Sequence, residues 1–181
     1  MTHVKICGVT SEHDAAVCVE AGADAIGLNF VPSSPRCLSL ERAQAIVRVL
    51  PKHVIAVGVF VDADQQTLTR YKQSVGLGCL QLHGDEPPEL LAHFLPHAYK
   101  ALRVRGPGVR EEAARYAGEF LLLDAYVPGV HGGSGARFDL GIDEASAGCS
   151  VAQQWHDHGR EQEVGLAHVG VVAEDAGAAE V

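Results

Sequence analysis

The stretch from residue 54 to residue 82, VIAVGVFVDADQQTLTRYKQSVGLGCLQL, contains two apolar segments with a polar segment between them. Val54–Val61 and Gly78–Leu82 are almost continuously apolar, which is typical of strands that are covered on both faces. A helix is predicted over the intervening residues 64–74, and either Asp62 or Asp64 is suited to cap its start. This order of strand, helix and strand predicts a βαβ unit with two parallel strands.

The same alternation extends over most of the chain. Six strands that begin between residues 3 and 120 give a repeat of about 23 residues, close to the minimum for a βα unit. The pattern predicts an α/β fold of the (β/α)₈ barrel type. An open doubly wound sheet is the rival architecture, but it usually carries a glycine-rich loop after its first strand, and CGVTSEHD contains only Gly8. The remaining predicted strands are 3–7, Ala25–Phe30, Tyr99–Val104 and Phe120–Ala125, and the remaining predicted helices are 11–21, 40–50, 87–95 and 108–118.

The composition indicates which classes of binding partner and which cellular compartment are expected. The 181 residues are 47% hydrophobic and carry a net charge of −9 without a basic cluster, which argues against nucleic-acid and anionic-membrane partners. No apolar run approaches the ~18–20 residues of a membrane span, and no signal-peptide pattern is present. The five cysteines show no CxxC spacing, which argues against a disulfide framework or a zinc site. We therefore expect reduced thiols and a cytoplasmic protein.

Polar side chains gather at the carboxyl ends of the predicted strands, where barrel enzymes carry their chemistry. Cys7 ends the first strand, Gln81 and His83 end the fourth, and Asp124 lies in the sixth, while Arg36 belongs to the loop after the second. Each has a plainer explanation, since Cys7 also suits a buried core and the others suit caps or solvated loops. A thiol, a carboxylate and a guanidinium at one barrel face together favour an active site.

Five motifs occur in a fixed order: KICGVT, GLNFVPSSPR, VGVFVD, LQLHGDE, and LLLDA with GGSGARFD after it. From about residue 3 to Asp139 the chain therefore resembles the phosphoribosylanthranilate isomerase family of tryptophan biosynthesis. The resemblance implies a (β/α)₈ barrel and an Amadori rearrangement. In this reaction N-(5-phosphoribosyl)anthranilate, a small phosphosugar, becomes 1-(2-carboxyphenylamino)-1-deoxyribulose 5-phosphate. No metal and no organic cofactor is expected, because an acid and a base suffice for the reaction.

The resemblance also implies roles for single residues. Cys7 would be the general base that removes the proton at C2 of the opened sugar, and Asp124 the general acid that protonates the ring oxygen. Arg36 would contact the anthranilate carboxylate, which suits the fork of a guanidinium group. Gln81 and His83 would bind the substrate.

The chain departs from the family pattern after Asp139. Residues 1–139 hold six βα units, whereas residues 140–181 lack the two glycine-containing loops with which the family holds the substrate phosphate. One strand is predicted there, at Val164–Ala173, so the first and sixth strands are expected to have open edges and the protein to be poorly soluble.

The abrupt change favours a reading-frame shift or a fused foreign end over divergence. We expect an isomerase that is impaired by this tail. The alternative is a non-catalytic barrel remnant that binds a phosphosugar or anthranilate, and isomerisation of the substrate separates the two. The oligomeric state stays open.

Overall fold

The computed structural model describes residues 2–105, 108–117, 120–125, 150–155 and 168–173. Eight strands and five helices lie within these ranges. The strands are β1 (Thr2–Cys7), β2 (Ala25–Asn29), β3 (Ile55–Phe60), β4 (Cys79–Leu82), β5 (Ala98–Val104), β6 (Phe120–Ala125), β7 (Ser150–Trp155) and β8 (His168–Ala173). The helices are α1 (Glu12–Glu20), α2 (Leu40–Val49), α3 (Gln65–Val75), α4 (Pro88–Phe94) and α5 (Val109–Ala113).

The strands pair in sequence order and close into a barrel. Each strand from β1 to β6 is parallel to the next strand in sequence, and β8 is antiparallel to both β7 and β1. The predicted barrel is confirmed, and the doubly wound sheet is excluded. Five of the six predicted strands differ by one residue at one or both ends, and β6 has the predicted bounds. The predicted helix 108–118 is shorter, since the α-helical residues run only from Val109 to Ala113.

The starts of α2 and α3 are fixed by capping side chains that lie next to them in the sequence. The Ser39 hydroxyl accepts the N–H of Arg42 at 3.3 Å, and the Asp64 carboxylate accepts the N–H of Thr67 at 2.7 Å. Each bond satisfies a backbone donor that the helix itself leaves without a partner. Of the two candidates at α3, Asp64 is therefore the cap.

The expected open edges of β1 and β6 are absent, which corrects the sequence prediction. β6 pairs with β7 from Phe120 opposite Ser150 onward, and β1 pairs with β8 with Cys7 opposite His168. The strand predicted at Val164–Ala173 is confirmed as the shorter β8, and β7 was missed. A strand parallel to β7 would need a crossover of about a dozen or more residues. The interval 156–167 between β7 and β8 is at the lower limit of this length, and an antiparallel β8 needs only a short connection. The GGSGARFD motif and the rest of 140–181 lie outside the described residues.

Strand residues alternate between two environments, as the pleat requires. One set faces the helices and forms the main core, in which Ile26, Leu28 and Leu80 are fully buried. The other set faces the barrel axis and includes Val57 and Val59, which are buried but belong to no helix-facing cluster. Residues of this second set nearest the carboxyl ends of the strands line the barrel mouth.

Candidate active site

Cys7 is placed at the barrel mouth by the alternation along β1. Its neighbour Ile6 packs in the helix-facing core, so Cys7 faces the barrel axis, where it is 6% exposed. The chain then turns at Gly8, which has a positive φ of 82° and donates its N–H to the Gly27 carbonyl at 2.8 Å. Gly27 leaves room for the thiol, because a Cβ there would lie 2.6 Å from the sulfur of Cys7. The sequence thus gives this thiol a defined position next to β2.

Asp124 is placed at the same end of the barrel by β6. Leu121 and Leu123 pack toward the helices, so Asp124 faces the axis, and it is 1% exposed. Its Oδ2 lies 3.2 Å from Nε2 of His83. The imidazole is thus at ion-pair distance from the buried carboxylate, without the alignment of a hydrogen bond. The structure therefore brings two of the predicted site residues into contact.

His83 is also held from its other side. Its Nδ1 lies 3.2 Å from Nε2 of Gln81, and Oε1 of Gln81 accepts the Tyr99 hydroxyl at 2.9 Å. The carbonyl of His83 accepts a guanidinium N–H of Arg103 at 3.2 Å. A file of side chains thus runs from Tyr99 through Gln81 and His83 to Asp124; we call it the barrel-mouth file.

A buried ion pair holds the loop that carries His83. Lys100 Nζ lies 2.8 Å from Oε2 of Glu86 and also donates to the carbonyls of Leu82 and Gly84. The Glu86 carboxylate in turn accepts the backbone N–H of Asp62 and of Gly84, each at 2.9 Å. Lys100 and Glu86 are each only 1% exposed in their side chains. The pair is well hydrogen-bonded and ties the loops after β3 and β4 together.

We predict that Lys100→Met lowers the free energy of unfolding by about 3–5 kcal/mol, because it leaves the Glu86 carboxylate buried without its cation. Urea unfolding followed by circular dichroism measures the change. The double variant Lys100→Met/Glu86→Gln is the control and should recover part of the loss, since the remaining side chain is neutral. Equal losses in the single and double variants would contradict this explanation.

Arg36 lies in the loop that follows β2. Asn29 organises this loop, since its Oδ1 accepts the Val31 N–H at 2.7 Å and its carbonyl accepts the Leu38 N–H at 2.8 Å. The Arg36 N–H bonds to the hydroxyl of Ser34 at 3.2 Å, and the Arg36 side chain is half-buried. The loop leaves the carboxyl end of β2, next to the strand that carries Cys7. A guanidinium at this position suits an anionic ligand in the barrel mouth.

The five predicted site residues all belong to the carboxyl ends of the strands or to the loops that follow them. Gln81, His83 and Asp124 are joined by contacts, whereas Cys7 lies on the other side of the mouth, since β7 and β8 separate β6 from β1. An acid and a base on opposite sides of a cavity can handle two protons of one substrate. Neither a metal nor a cofactor is needed for such chemistry.

Sequence reasoning missed the residues that support this site. Tyr99 was assigned only to a strand, and the pair Lys100 and Glu86 was not identified. A signal for Tyr99 exists in the alternation of Tyr99, Ala101 and Arg103, which places all three on the axis side once Arg103 is known to point there. The Lys100–Glu86 pair has no comparable signal, because the two residues lie in different elements.

The described residues contain neither a cluster of metal-binding side chains nor a membrane-spanning helix. In that part of the chain, no group of three or more His, Cys, Asp or Glu side chains is arranged to hold a metal ion. Likewise, none of the helices described is long and apolar enough to cross a membrane.

Comparisons with known proteins point to one family. The sequence profile described as N-(5'phosphoribosyl)anthranilate (PRA) isomerase matches residues 4–147. The N-(5'-phosphoribosyl)anthranilate isomerase of Geobacter sp. strain M21 is 47% identical over 139 residues, which cover 77% of this chain and 68% of that protein. The enzyme of the same name from Pseudomonas putida strain F1 is 48% identical over 147 residues, covering 80% and 71%.

Solved structures similar to this chain belong to the same family. Phosphoribosyl anthranilate isomerase from Thermotoga maritima is 39% identical with a TM-score of 0.69, over 77% of this chain and 68% of that one. A phosphoribosyl anthranilate isomerase in complex with reduced 1-(o-carboxyphenylamino)-1-deoxyribulose 5-phosphate is 38% identical with a TM-score of 0.64, over 70% and 66%. The resemblance seen in the sequence is thereby confirmed. The chain belongs to the N-(5'-phosphoribosyl)anthranilate isomerase family, whose members are isomerases of tryptophan biosynthesis.

Proposed function

We propose that Asp124 and Cys7 carry the two proton transfers by which N-(5-phosphoribosyl)anthranilate becomes 1-(2-carboxyphenylamino)-1-deoxyribulose 5-phosphate. The observation that supports these roles is their placement at one end of the barrel, on strands separated by β7 and β8. A sugar held between them meets an acid on one side and a base on the other. This makes isomerisation the function that the site supports best.

The steps follow from the chemistry of an aminoaldose. Asp124 gives its proton to the ring oxygen as the bond between that oxygen and C1 breaks, which leaves a protonated Schiff base between C1 and the anthranilate nitrogen. The thiolate of Cys7 then takes the proton from C2, and the electron pair of that C–H bond neutralises the nitrogen. The resulting enolamine tautomerises to the ketone. General acid–base help of this kind typically contributes ~10²–10⁴-fold each.

The remaining site residues hold the substrate in this proposal. Arg36 pairs with the anthranilate carboxylate. Direct contact of Gln81 and His83 with the substrate stays a prediction, and their contacts inside the protein support a second role that is developed below.

Arg36→Met is expected to raise KM about tenfold or more with a smaller effect on kcat. The guanidinium binds a part of the substrate that does not change during the reaction, so it stabilises the bound substrate and the transition state alike. Steady-state isomerisation at a series of substrate concentrations checks this. A fall in kcat at unchanged KM would assign Arg36 to the chemical step instead.

The experiment that tests the function follows the loss of substrate fluorescence with the purified chain. Turnover above the uncatalysed rate supports the isomerase. Binding of an anthranilate analogue without any turnover would support the non-catalytic barrel remnant, which the comparisons do not favour.

We also propose a reducing, cytoplasmic location. Within the described residues Cys7, Cys18, Cys37 and Cys79 are all free thiols, as expected where glutathione keeps cysteines reduced. Activity that persists in a fractionated cytosol supports the proposal, and recovery of the chain only from an oxidising compartment would contradict it.

The division between 1–139 and 140–181 is likewise a proposal. It is supported by the end of the family match at residue 147, eight residues after this boundary. Reading the coding DNA across codons 135–145 in all frames tests it, because a reading-frame shift would leave the glycine-containing phosphate loops in another frame.

A further inference from the structure

We propose that Tyr99 and Gln81 are positioning residues that fix His83 as its Nε2–H tautomer, and that His83 in this form orients the carboxyl group of Asp124. The inference rests on the proposed function, in which Asp124 is the general acid. It concerns a step that the acid–base assignment leaves open, namely how the carboxyl group is aimed at the substrate and how its anion is stabilised.

The direction of the barrel-mouth file follows from its hydrogen bonds. The Tyr99 hydroxyl donates to Oε1 of Gln81 at 2.9 Å, so the NH₂ end of the amide faces the imidazole. That NH₂ group has no lone pair to offer, and it lies 3.2 Å from Nδ1 of His83. Nδ1 must therefore be the acceptor nitrogen, and the ring proton is on Nε2. Nε2 lies 3.2 Å from Oδ2 of Asp124, an ion-pair distance at which the two groups are not aligned as a hydrogen bond.

Tyr99 is suited to anchor the file because it remains a donor. Burial raises the pKa of Tyr99 well above its usual value of 10, and the nearby thiols of Cys79 and Cys7 raise it further. The phenol consequently keeps its proton throughout the working range of pH. If the Gln81 amide were turned round, this O–H would lose the acceptor that it has in Oε1, and a hydroxyl without an acceptor in a dry site is costly.

The tautomer matters because Asp124 changes charge during the reaction. With an N–H beside Oδ2, the proton to be donated is favoured on Oδ1, and the positive end of the N–H dipole stabilises the carboxylate left after donation. With the opposite tautomer, the lone pair of Nε2 would attract the carboxyl proton and turn it away from the ring oxygen. His83 gains and loses no proton in the proposed step. It acts through Asp124 alone.

The first test is the protonation of His83 in the unaltered chain, measured by ¹⁵N NMR with labelled histidine and assigned by comparison with His83→Asn. We expect a protonated Nε2 and an unprotonated Nδ1. A proton on Nδ1, with an unprotonated Nε2, would overturn the proposal without reference to any variant.

The second test splits kcat from KM. Tyr99→Phe removes one hydrogen bond from the file, and we expect kcat to fall about tenfold at unchanged KM, the order of effect of one such bond. Gln81→Met removes both contacts of the amide, and we expect a loss of about 10²-fold together with the appearance of a proton on Nδ1. Tyr116→Phe is the matched control, because its hydroxyl donates to the Glu86 carbonyl at 2.9 Å, outside the file. It should leave kcat and the His83 signals unchanged.

The outcomes separate this inference from the proposed function. If Tyr99→Phe and Gln81→Met alter neither kcat nor the His83 nitrogens, the positioning role is wrong, while a large loss in Asp124→Asn still upholds the acid. If Asp124→Asn retains full turnover, the acid assignment fails and the positioning role fails with it. A rise in KM at constant kcat in Tyr99→Phe would indicate substrate contact and overturn the positioning role.

Discussion

Replacing residues 140–181 with a family-typical ending is expected to raise kcat/KM by roughly 10²–10⁶-fold. A substrate phosphate normally accepts several backbone N–H groups at a helix N-terminus, and charged hydrogen bonds contribute roughly 1.5–3 kcal/mol each. The loss of two or three such bonds weakens binding of the transition state by about 3–9 kcal/mol, which corresponds to the stated range.

The direction of β8 adds to this expectation. In a barrel with parallel strands the loop after the eighth strand opens at the active face. Here the register places Ala173 opposite Thr2 and His168 opposite Cys7, so the carboxyl end of β8 lies at the far end of the barrel. Ala173, the last residue of β8, therefore lies away from the proposed acid and base.

Steady-state isomerisation by the unaltered chain and by the repaired chimera measures the effect, with solubility recorded for both. The chimera carrying Cys7→Ala is the control, since it should lose the gained activity and thereby show that the gain is catalytic. Full activity of the unaltered chain would show that the tail holds the phosphate in a way that the sequence does not reveal.

Cys7→Ala is expected to lower kcat by about 10²–10⁴-fold, because it removes the base that takes the proton from C2. Gln81, His83 and Asp124 remain in place, so the fold and the acid are unchanged. Asp124→Asn should be similarly damaging, since the amide has the same shape but cannot deliver a proton to the ring oxygen. The two variants together separate the base from the acid.

Cys18→Ala is the matched control for the thiol. Cys18 is fully buried against the core on α1, and burial raises the pKa of its thiol, so it remains an uncharged packing residue. This variant should lose some stability by the cavity that it leaves and keep its turnover. Near-parental turnover in Cys7→Ala, or equal losses in both cysteine variants, would remove Cys7 from the mechanism.

Six strands, their order and the residues at their carboxyl ends could be predicted from the sequence, because each depends on interactions close along the chain. The apolar, β-branched run Val54–Val61 favours a strand by its own composition, and Asp64 caps its own helix. The alternation of side chains then decides that Cys7 and Asp124 face the barrel axis once Ile6 and Leu123 face the core. The predicted site residues come from this local information.

The support of the site was decided only by the tertiary structure. The contact of Tyr99 with Gln81 depends on the register between β4 and β5, and the contact of His83 with Asp124 depends on the curvature that brings β4 near β6. A shift of one residue would turn each of these side chains to the other face of the sheet.

The strand pairs that close the barrel were likewise decided only by the tertiary structure. Nothing in the six recognised units indicates that β6 would pair with Ser150–Trp155 or β1 with His168–Ala173, because pairing across a closed barrel joins distant parts of the chain. The sequence by itself determined six of the strands and the chemistry that they carry at their ends. Closure of the barrel determined which of these groups meet, because hydrogen bonds between side chains require a position in three dimensions that no short segment specifies.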